Sequence, residues 1–324
     1  MSSVFISYSR SDAVFADKLA VELERLYGKD QVWIDRNSIP FAEAWWGQIQ
    51  RGIEAKDNFL LIMSPRSIGS PVCHLEIEHA RRLNKRIVPI MHQPIDEDAC
   101  KDKVVERLKD NDYVVQLVGD RSIFMLFEAN LKVLSGLNWF PFPYDPGLDQ
   151  PIPDDHPDAA TLRVARDTQE VQFHAQFAPL HRTLETDQPH VQQHTRLSTR
   201  AREWDENQRV KSLLLQSDDM ARSQAWLVAW DADATARKAK GEAPRAPEPT
   251  ALIRAYIAAS GEHDRQQRRQ RQQLRWSAVG STAIAAIMLI LALAAGAATA
   301  RYQQDIFVLG TTLTVAPVTV VAGE

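Results

Sequence analysis

Val4-Phe5-Ile6-Ser7-Tyr8-Ser9-Arg10 opens the chain with a short, β-prone apolar run that ends abruptly in polar residues. Ser11-Asp12 then offers an N-cap. Phe15, Leu19, Leu23 and Leu26 recur at helical spacing until Gly28 stops the helix. The alternation repeats outward from this start. Gln31-Val32-Trp33-Ile34-Asp35 reads as a second strand, followed by a loop through Pro40 and a helix carrying Trp45, Ile49 and Ile53 at i, i+4 and i+8. Asn58 to Ser64 is a third strand, nearly all apolar, as a strand buried on both faces should be. Ser70-Pro71 begins the next helix, with Ser as N-cap and Pro at the first position. Ile87 to Met91 is the fourth strand, Tyr113 to Leu117 the fifth, and a last helix runs to about Leu137. Five strands alternating with helices predict an α/β fold with a flavodoxin-like, doubly wound parallel sheet. Ligands of such sheets bind at the carboxyl ends of the strands. That draws attention to Tyr8-Ser9-Arg10, Asp35-Arg36 and Ser64-Pro65.

The bulk composition excludes several classes of function. The chain has 324 residues, 44% of them hydrophobic and 25% charged, with a formal net charge of −4. This gives no electrostatic footprint for nucleic acid, and no such partner is expected. Two cysteines, Cys73 and Cys100, are too few for a disulfide framework and lack metal-ligand spacing. No metal or cofactor is called for. The first strand leads into Ser-Tyr-Ser-Arg in place of GxGxxG, and the chain contains no GxxxxGK[ST], HExxH or GxSxG. No basic segment followed by an apolar one stands at the start, so no cleavable signal peptide is expected.

Beyond residues 1–140 the character changes. Residues 141–157 are rich in Pro and Asp and read as a linker. Residues 158–275 read as polar and helical, with Leu197, Ala201, Trp204, Leu213, Leu214, Met220, Trp226 and Leu227 available for a small bundle. Ala278 to Ala300 carries no charged residue and is long enough to cross a bilayer core, so residues 276–301 are expected to be one transmembrane helix; a buried core helix is the alternative. Arg265, Arg268, Arg269, Arg271 and Arg275 precede this span and Arg301 alone follows it closely. The positive-inside rule then leaves the N-terminal part in the cytosol and the short tail, residues 302–324, outside. Whether Ile306 to Val321 forms a β-rich stub or stays disordered is left open by its composition.

One helix holds a chemical anomaly. Val72, Cys73, Glu76, Ile77, Ala80 and Leu83 share a face at the 3.6-residue period, and Glu76 is the one carboxylate among them. A buried carboxylate is costly and its pKa tends to rise. Such a group is either paired structurally or functional. Glu78 falls on the opposite, solvated face.

Phe5-Ile6-Ser7-Tyr8-Ser9-Arg10, then Trp33-Ile34-Asp35 with the loop to Trp45-Trp46, then Ser64-Pro65, Ser70-x-x-Cys73-x-x-Glu76 and Asn84 to Ile90 occur in the order and spacing of a TIR domain. The first ~140 residues resemble this family, in particular the bacterial TIR domains that head larger multidomain proteins. The resemblance implies several things. Many TIR domains hydrolyse NAD⁺, with a catalytic glutamate on the helix after the third strand, and Glu76 matches that position. NAD⁺ would be the substrate, not a bound cofactor. Nicotinamide leaves as a neutral group, and a carboxylate would stabilise the oxocarbenium-like transition state. Water or an adenine nitrogen would then capture the cation, giving a linear or a cyclic product.

Tyr8, Ser9 and Arg10, with Asp35 and Ser64, match positions that line the TIR nucleotide pocket; capping and loop anchoring are equally good readings of Tyr8 and Arg10. Asp35 has the further reading of holding the loop. Trp45 matches an aromatic that stacks on substrate, and is as often core. Val72 stands where many NAD⁺-cleaving TIR domains have Trp. Pro40-Phe41-Ala42 occupies the BB loop, where Gly is usual, and Phe41 is a candidate for packing against a neighbouring TIR domain. The implied partners are NAD⁺, other TIR domains in a homo-oligomer, and the membrane through residues 276–301. The implied setting is signal transduction or antiphage defence at a bacterial inner membrane. A non-catalytic adaptor that acts through TIR–TIR association is the competing reading.

Overall fold

The computed structural model describes residues 2–35, 45–95 and 123–312. Its first unit, Met1–Gly261, is organised by strands β1 (Val4–Ser7), β2 (Val32–Ile34), β3 (Asn58–Met63), β4 (Arg86–Met91) and β5 (Phe140–Pro141). They pair in parallel in the order β2-β1-β3-β4-β5, the flavodoxin-like five-stranded sheet expected from the alternation of strand and helix. Successive side chains on a strand point to opposite faces, and the sequence obeys this period. Val4, Ile6, Leu60, Ile62, Val88 and Ile90 enter one cluster, whereas Phe5, Phe59, Leu61 and Met63 enter the other.

The second face is covered by α2 (Trp45–Ala55), α4 (Pro71–Arg82) and α5 (Ile123–Leu134), with the single turn α3 (Pro65–Ile68) between β3 and α4. Gly52 of α2 lies against the Trp33 indole so closely that an added Cβ would sit 2.9 Å from Trp33 Cε2. On the first face, α1 (Ala13–Tyr27) contributes Phe15, Leu19, Leu23 and Tyr27. Leu26 is 41% exposed, so Tyr27 takes the place in the stripe that the spacing gave to Leu26.

Two elements depart from the expected plan. The fifth strand of the described sheet comes from Phe140–Pro141, at the junction between the first 140 residues and the stretch that reads as a linker; Ile90 pairs with Phe140, and the Phe142 N–H donates to the Met91 carbonyl at 2.9 Å. Tyr113 to Leu117, read as a strand, lies outside the described residues. A two-residue strand that contains Pro141 carries no periodic signal, and its place at the edge of the described sheet is where a missing N–H is tolerated. The second departure is α6 (Ala159–Glu185). Phe173, Phe177, Leu180 and Leu184 share one side of this helix and join the first-face cluster with Val4, Ile6 and Phe15. Phe142 links them, with its ring centroid 5.1 Å from Phe173 and 5.3 Å from Phe15. The parallel sheet is therefore closed by a helix that follows the Pro/Asp-rich stretch.

Helices α7 (Gln188–Glu206), α8 (Ser217–Ala239) and the first turns of α9 (Ala251–Thr312) form a third cluster around Leu197, Trp204, Leu215, Met220, Ile253 and Tyr256. The Tyr256 hydroxyl donates to the Leu213 carbonyl at 2.7 Å. This bundle is tied to the sheet region by buried polar groups. Lys85 Nζ donates to the carbonyls of Glu54 and Lys56, at 2.8 and 2.7 Å, and to Thr195 Oγ1 at 3.4 Å.

The second unit, Glu262–Glu324, holds the remainder of α9. Within it Ile284–Gln304 has a mean hydropathy of 2.0, none of it buried, and is long and apolar enough to cross a membrane. The helix continues past Arg301 to Thr312; no proline interrupts the sequence before Pro317. Replacing Phe173 with Ala is expected to lower the unfolding free energy of the first unit by about 3–5 kcal/mol, the usual cost of emptying a buried phenylalanine site. Val171→Ala on the same helix, at a site 70% exposed, should stay within about 0.5 kcal/mol. Chemical unfolding of the full chain, followed by near-ultraviolet circular dichroism, measures both.

Candidate functional site

At the carboxyl edge of the sheet, β1 ends in Ser7 and is followed by Tyr8, Ser9 and Arg10, β2 is followed by Asp35, and β3 by Ser64. The strand order reverses direction at β1 and β3, which is where open α/β sheets leave a crevice. Helix α4 brings Glu76 to this edge. Its start is fixed locally: Ser70 caps it by accepting the Cys73 N–H at 3.3 Å, and Pro71 occupies the first turn. Two histidines on α4 anchor its flanks. His74 Nδ1 lies 2.8 Å from Asn130 Oδ1, and Asn130 Nδ2 in turn donates to the Ile68 carbonyl at 2.7 Å. His79 Nε2 lies 2.9 Å from Glu54 Oε1, and Glu54 also pairs with Arg202 from α7. Burial alone would raise the Glu54 carboxyl, but the hydrogen bonds from His79 and Arg202 outweigh it and hold the group below its ordinary range.

Glu76 is 6% exposed, and the Ser7 hydroxyl donates to its Oε2 at 2.5 Å. Burial pushes its pKa up to about 8; the Ser7 bond opposes that shift and the Asp35 carboxylate adds to it. Cys73, one turn earlier on α4, is buried and its thiol is pushed well above the usual range, first by burial and then by Glu76. It is therefore no nucleophile at neutral pH. Asp35 is itself raised by burial, with the Arg10 guanidinium working the other way. The Tyr8 hydroxyl donates to the Asp35 backbone carbonyl at 2.5 Å, which ties the ends of β1 and β2 together.

A second buried carboxylate lies close by. Asp12 is 3% exposed and accepts from Ser64 Oγ at 2.6 Å. Burial raises its pKa against the effects of Ser64 and Arg66. Asp12 occupies the N-cap position of α1 but makes no side-chain cap there; its carboxylate is turned to β3 instead. Ser64 serves three groups: its hydroxyl donates to Asp12 and accepts the Ser67 N–H at 3.1 Å, while its own N–H donates to Ser67 Oγ at 2.8 Å in a capping box.

The structure therefore gathers Tyr8, Arg10, Asp35, Ser64 and Glu76 at one edge of the sheet. Ser9 is buried, with its hydroxyl 3.0 Å from that of Ser11. Trp45 and Val72 both pack against the second-face cluster, and the Trp45 ring meets Trp46 edge-on at 5.9 Å. Pro40, Phe41 and Ala42 lie outside the described residues. Two participants were not singled out from sequence, Ser7 and Asp12. Ser7 was within reach of periodicity: it follows Phe5 by two residues and so faces the side on which α4 lies. Asp12 was hidden because an Asp before an apolar helical stripe looks like a cap. Among the described residues no cluster of three or more His, Cys, Asp or Glu side chains is arranged to hold a metal ion.

Glu76 should make stability depend on pH in a definite direction. Its pKa is higher in the folded chain than in the unfolded one, so the folded state holds the extra proton between about pH 4.5 and 8. The Glu76 contribution is complete below that window and is lost as pH rises through it. Unfolding free energies of the full chain should show an extra negative slope there, up to about 1.4 kcal/mol per pH unit for one proton, and Glu76→Gln should remove it. An unchanged slope in the variant would mean that Glu76 ionises normally.

Comparison with known proteins bears on the same region. Residues 4–123 match the family model described as TIR domain. No curated protein matches the chain. Nine chains of solved structures match it; one is the TIR domain of a Toll-related receptor from the lower metazoan Hydra magnipapillata, 18% identical, covering 41% of this chain and 97% of that one at a TM-score of 0.26. With the family model on residues 4–123 and a five-stranded parallel sheet built from the same residues onward, the N-terminal part of the chain carries a TIR domain.

Proposed function

We propose that the chain is a membrane-anchored signalling protein whose TIR domain cleaves NAD⁺ at the nicotinamide–ribosyl bond when TIR domains associate. The observation that carries this reading is Glu76: a carboxyl group buried at the carboxyl edge of a parallel sheet and held, among the described residues, by the Ser7 hydroxyl. Burial keeps the free group protonated near neutral pH. A bound pyridinium nucleotide brings positive charge beside it, and an opposite charge within a few ångströms favours the carboxylate. As the ribosyl bond breaks, positive charge develops on the sugar and the ionised Glu76 stabilises it in a site with little water. The Ser7 hydroxyl holds the reacting oxygen in place. Tyr8, Ser9, Arg10, Asp35 and Ser64 are assigned to the nucleotide, Arg10 as the cation for a phosphate, and Trp45 and Val72 to the wall of the site. Pro40, Phe41 and Ala42 are assigned to contacts with a neighbouring TIR domain. The apolar segment of α9 is assigned to a single crossing of a bacterial inner membrane, with the TIR domain on the cytosolic side where NAD⁺ is found.

One observation favours an adaptor without turnover. Glu76 is buried with its Oε2 engaged by Ser7, and the half-buried Val72 stands where an aromatic wall would be. In that reading Glu76 only stabilises the sheet edge, and signalling passes through TIR–TIR contact.

The decisive measurement is NAD⁺ loss with the full chain clustered in lipid bilayers. Turnover is expected, with a drop of at least about a hundredfold on Glu76→Ala, the scale of a lost electrostatic stabiliser. No turnover, or equal turnover by the variant, would leave the adaptor reading in its place. The pH dependence gives an independent check. For the free enzyme kcat/KM should rise with pH and level off above about 8. Ser7→Ala removes a bond that favours the charged form, so the rising limb should move up by about one pH unit.

A further inference from the structure

The part of α9 that precedes its apolar segment has a one-sided charge distribution. From Glu262 to Ala283 it contains five arginines, Arg265, Arg268, Arg269, Arg271 and Arg275, against two acidic residues, Glu262 and Asp264. The helix is continuous through this stretch. At ~100° per residue the five arginine positions fall within an arc of about 160°, while Gln266, Gln267, Gln270 and Gln273 fall on the other side and Gln272 falls among the arginines. Asp264 lies within the arginine arc and is paired with Arg268 at 2.7 Å, with the Arg268 side chain still 69% exposed. Trp276 is 77% exposed and falls within the same arc.

We infer that this arginine face is a binding surface for anionic phospholipid headgroups, which selects negatively charged bilayers for the segment that follows it. The inference rests on the reading that the apolar segment enters a membrane. The five positions cover about 15 Å of helix axis, and the lowest of them lies three residues before the uncharged run that begins at Ala278. A helix that enters a bilayer at that run carries its nearest arginines to the headgroup layer and the others within about a Debye length or two of it. Charge also chooses among partners. A second copy of the same face would bring five like charges against five, so this side of the helix repels its own kind unless anions lie between. Anionic headgroups supply those anions, and an exposed tryptophan beside the arginines belongs at the same interfacial depth. Glutamine on the opposite side keeps helix propensity without adding charge, so the distribution is that of a surface and not of a uniformly solvated helix.

The test uses the full chain reconstituted in phosphatidylcholine bilayers with spin-labelled phosphatidylglycerol or phosphatidylcholine as probe. Phosphatidylglycerol should be preferred by at least about fivefold, the effect of one arginine near the surface, and the preference should fall with added salt. The variant with Arg265→Gln, Arg268→Gln, Arg269→Gln and Arg271→Gln should lose most of it and stay in the bilayer. A preference that is absent, or that survives in this variant, overturns the inference. Carbonate washing separates this from the underlying reading: chain that stays in the bilayer without lipid preference defeats the arginine face alone, whereas chain washed off both kinds of bilayer defeats the membrane reading and the inference with it. Binding of single-stranded RNA by the bilayer-embedded chain, with no lipid preference, would assign the face to nucleic acid and also overturn it.

Discussion

A parallel sheet leaves two apolar faces, and neither can stay in water. In this chain the second face is covered, among the described residues, by helices that come after β2, β3 and β4 in the chain and before β5. The first face is different. α1 covers part of it, and the remainder waits for α6, which lies beyond the fifth strand and a Pro/Asp-rich connection. Phe142, Tyr144, Phe173 and Phe177 make the seam between them. The boundary of the folded unit is set by this need for cover and not by where strand-like sequence ends. Both Phe140–Pro141 and α6 lie beyond residues 4–123 of the family match.

The same closure fixes the electrostatics of the sheet edge. Glu76 and Asp12 are carboxyl groups with few donors around them, each held chiefly by one serine hydroxyl, Ser7 or Ser64. A hydrogen bond from a neutral hydroxyl offsets only part of the cost of burying a carboxylate, so burial outweighs it in both and each pKa is raised, that of Glu76 to about 8. Glu54 shows the opposite balance on the same helix layer: His79 and Arg202 outweigh burial. The chain thus has the means to pair a buried carboxylate fully and does so at Glu54, which serves to tie α2, α4 and α7 together. At Glu76 the pairing is partial. The contrast is one of compensation: Glu54 has charged partners, and Glu76 has a neutral hydroxyl.

How much of this was legible follows from the range over which each feature is decided. The first four strands, the helix beginning at Ser70-Pro71 and the isolation of Glu76 on an apolar stripe all rest on periodicity within a few turns, and they could be read directly. The assignments around the site divide differently. Tyr8, Arg10, Asp35, Ser64 and Glu76 meet at one edge because each ends or follows a strand of one parallel sheet, which topology alone guarantees. Trp45 and Val72 carry no such guarantee; each is partly buried against the second-face cluster. Ser7 and Asp12 were passed over because a serine in a strand and an aspartate before a helix have ordinary local explanations.

By itself the sequence determined the alternation of strand and helix, the parallel sheet, the single carboxylate on the α4 stripe, and a terminal helix long and apolar enough for a membrane. These depend on period, charge and length, which are properties of a chain before it folds. Only the tertiary structure decided that Phe140–Pro141 completes the described sheet, that α6 belongs to the sheet's core, that Asp12 turns to Ser64, and that Glu76 has Ser7 as its partner. Each of these is a contact between residues far apart in sequence, some separated by more than 150 positions, as Val4 is from Phe173. Their energies come from burial and from which donor reaches which oxygen, and both exist only once the two faces of the sheet are closed.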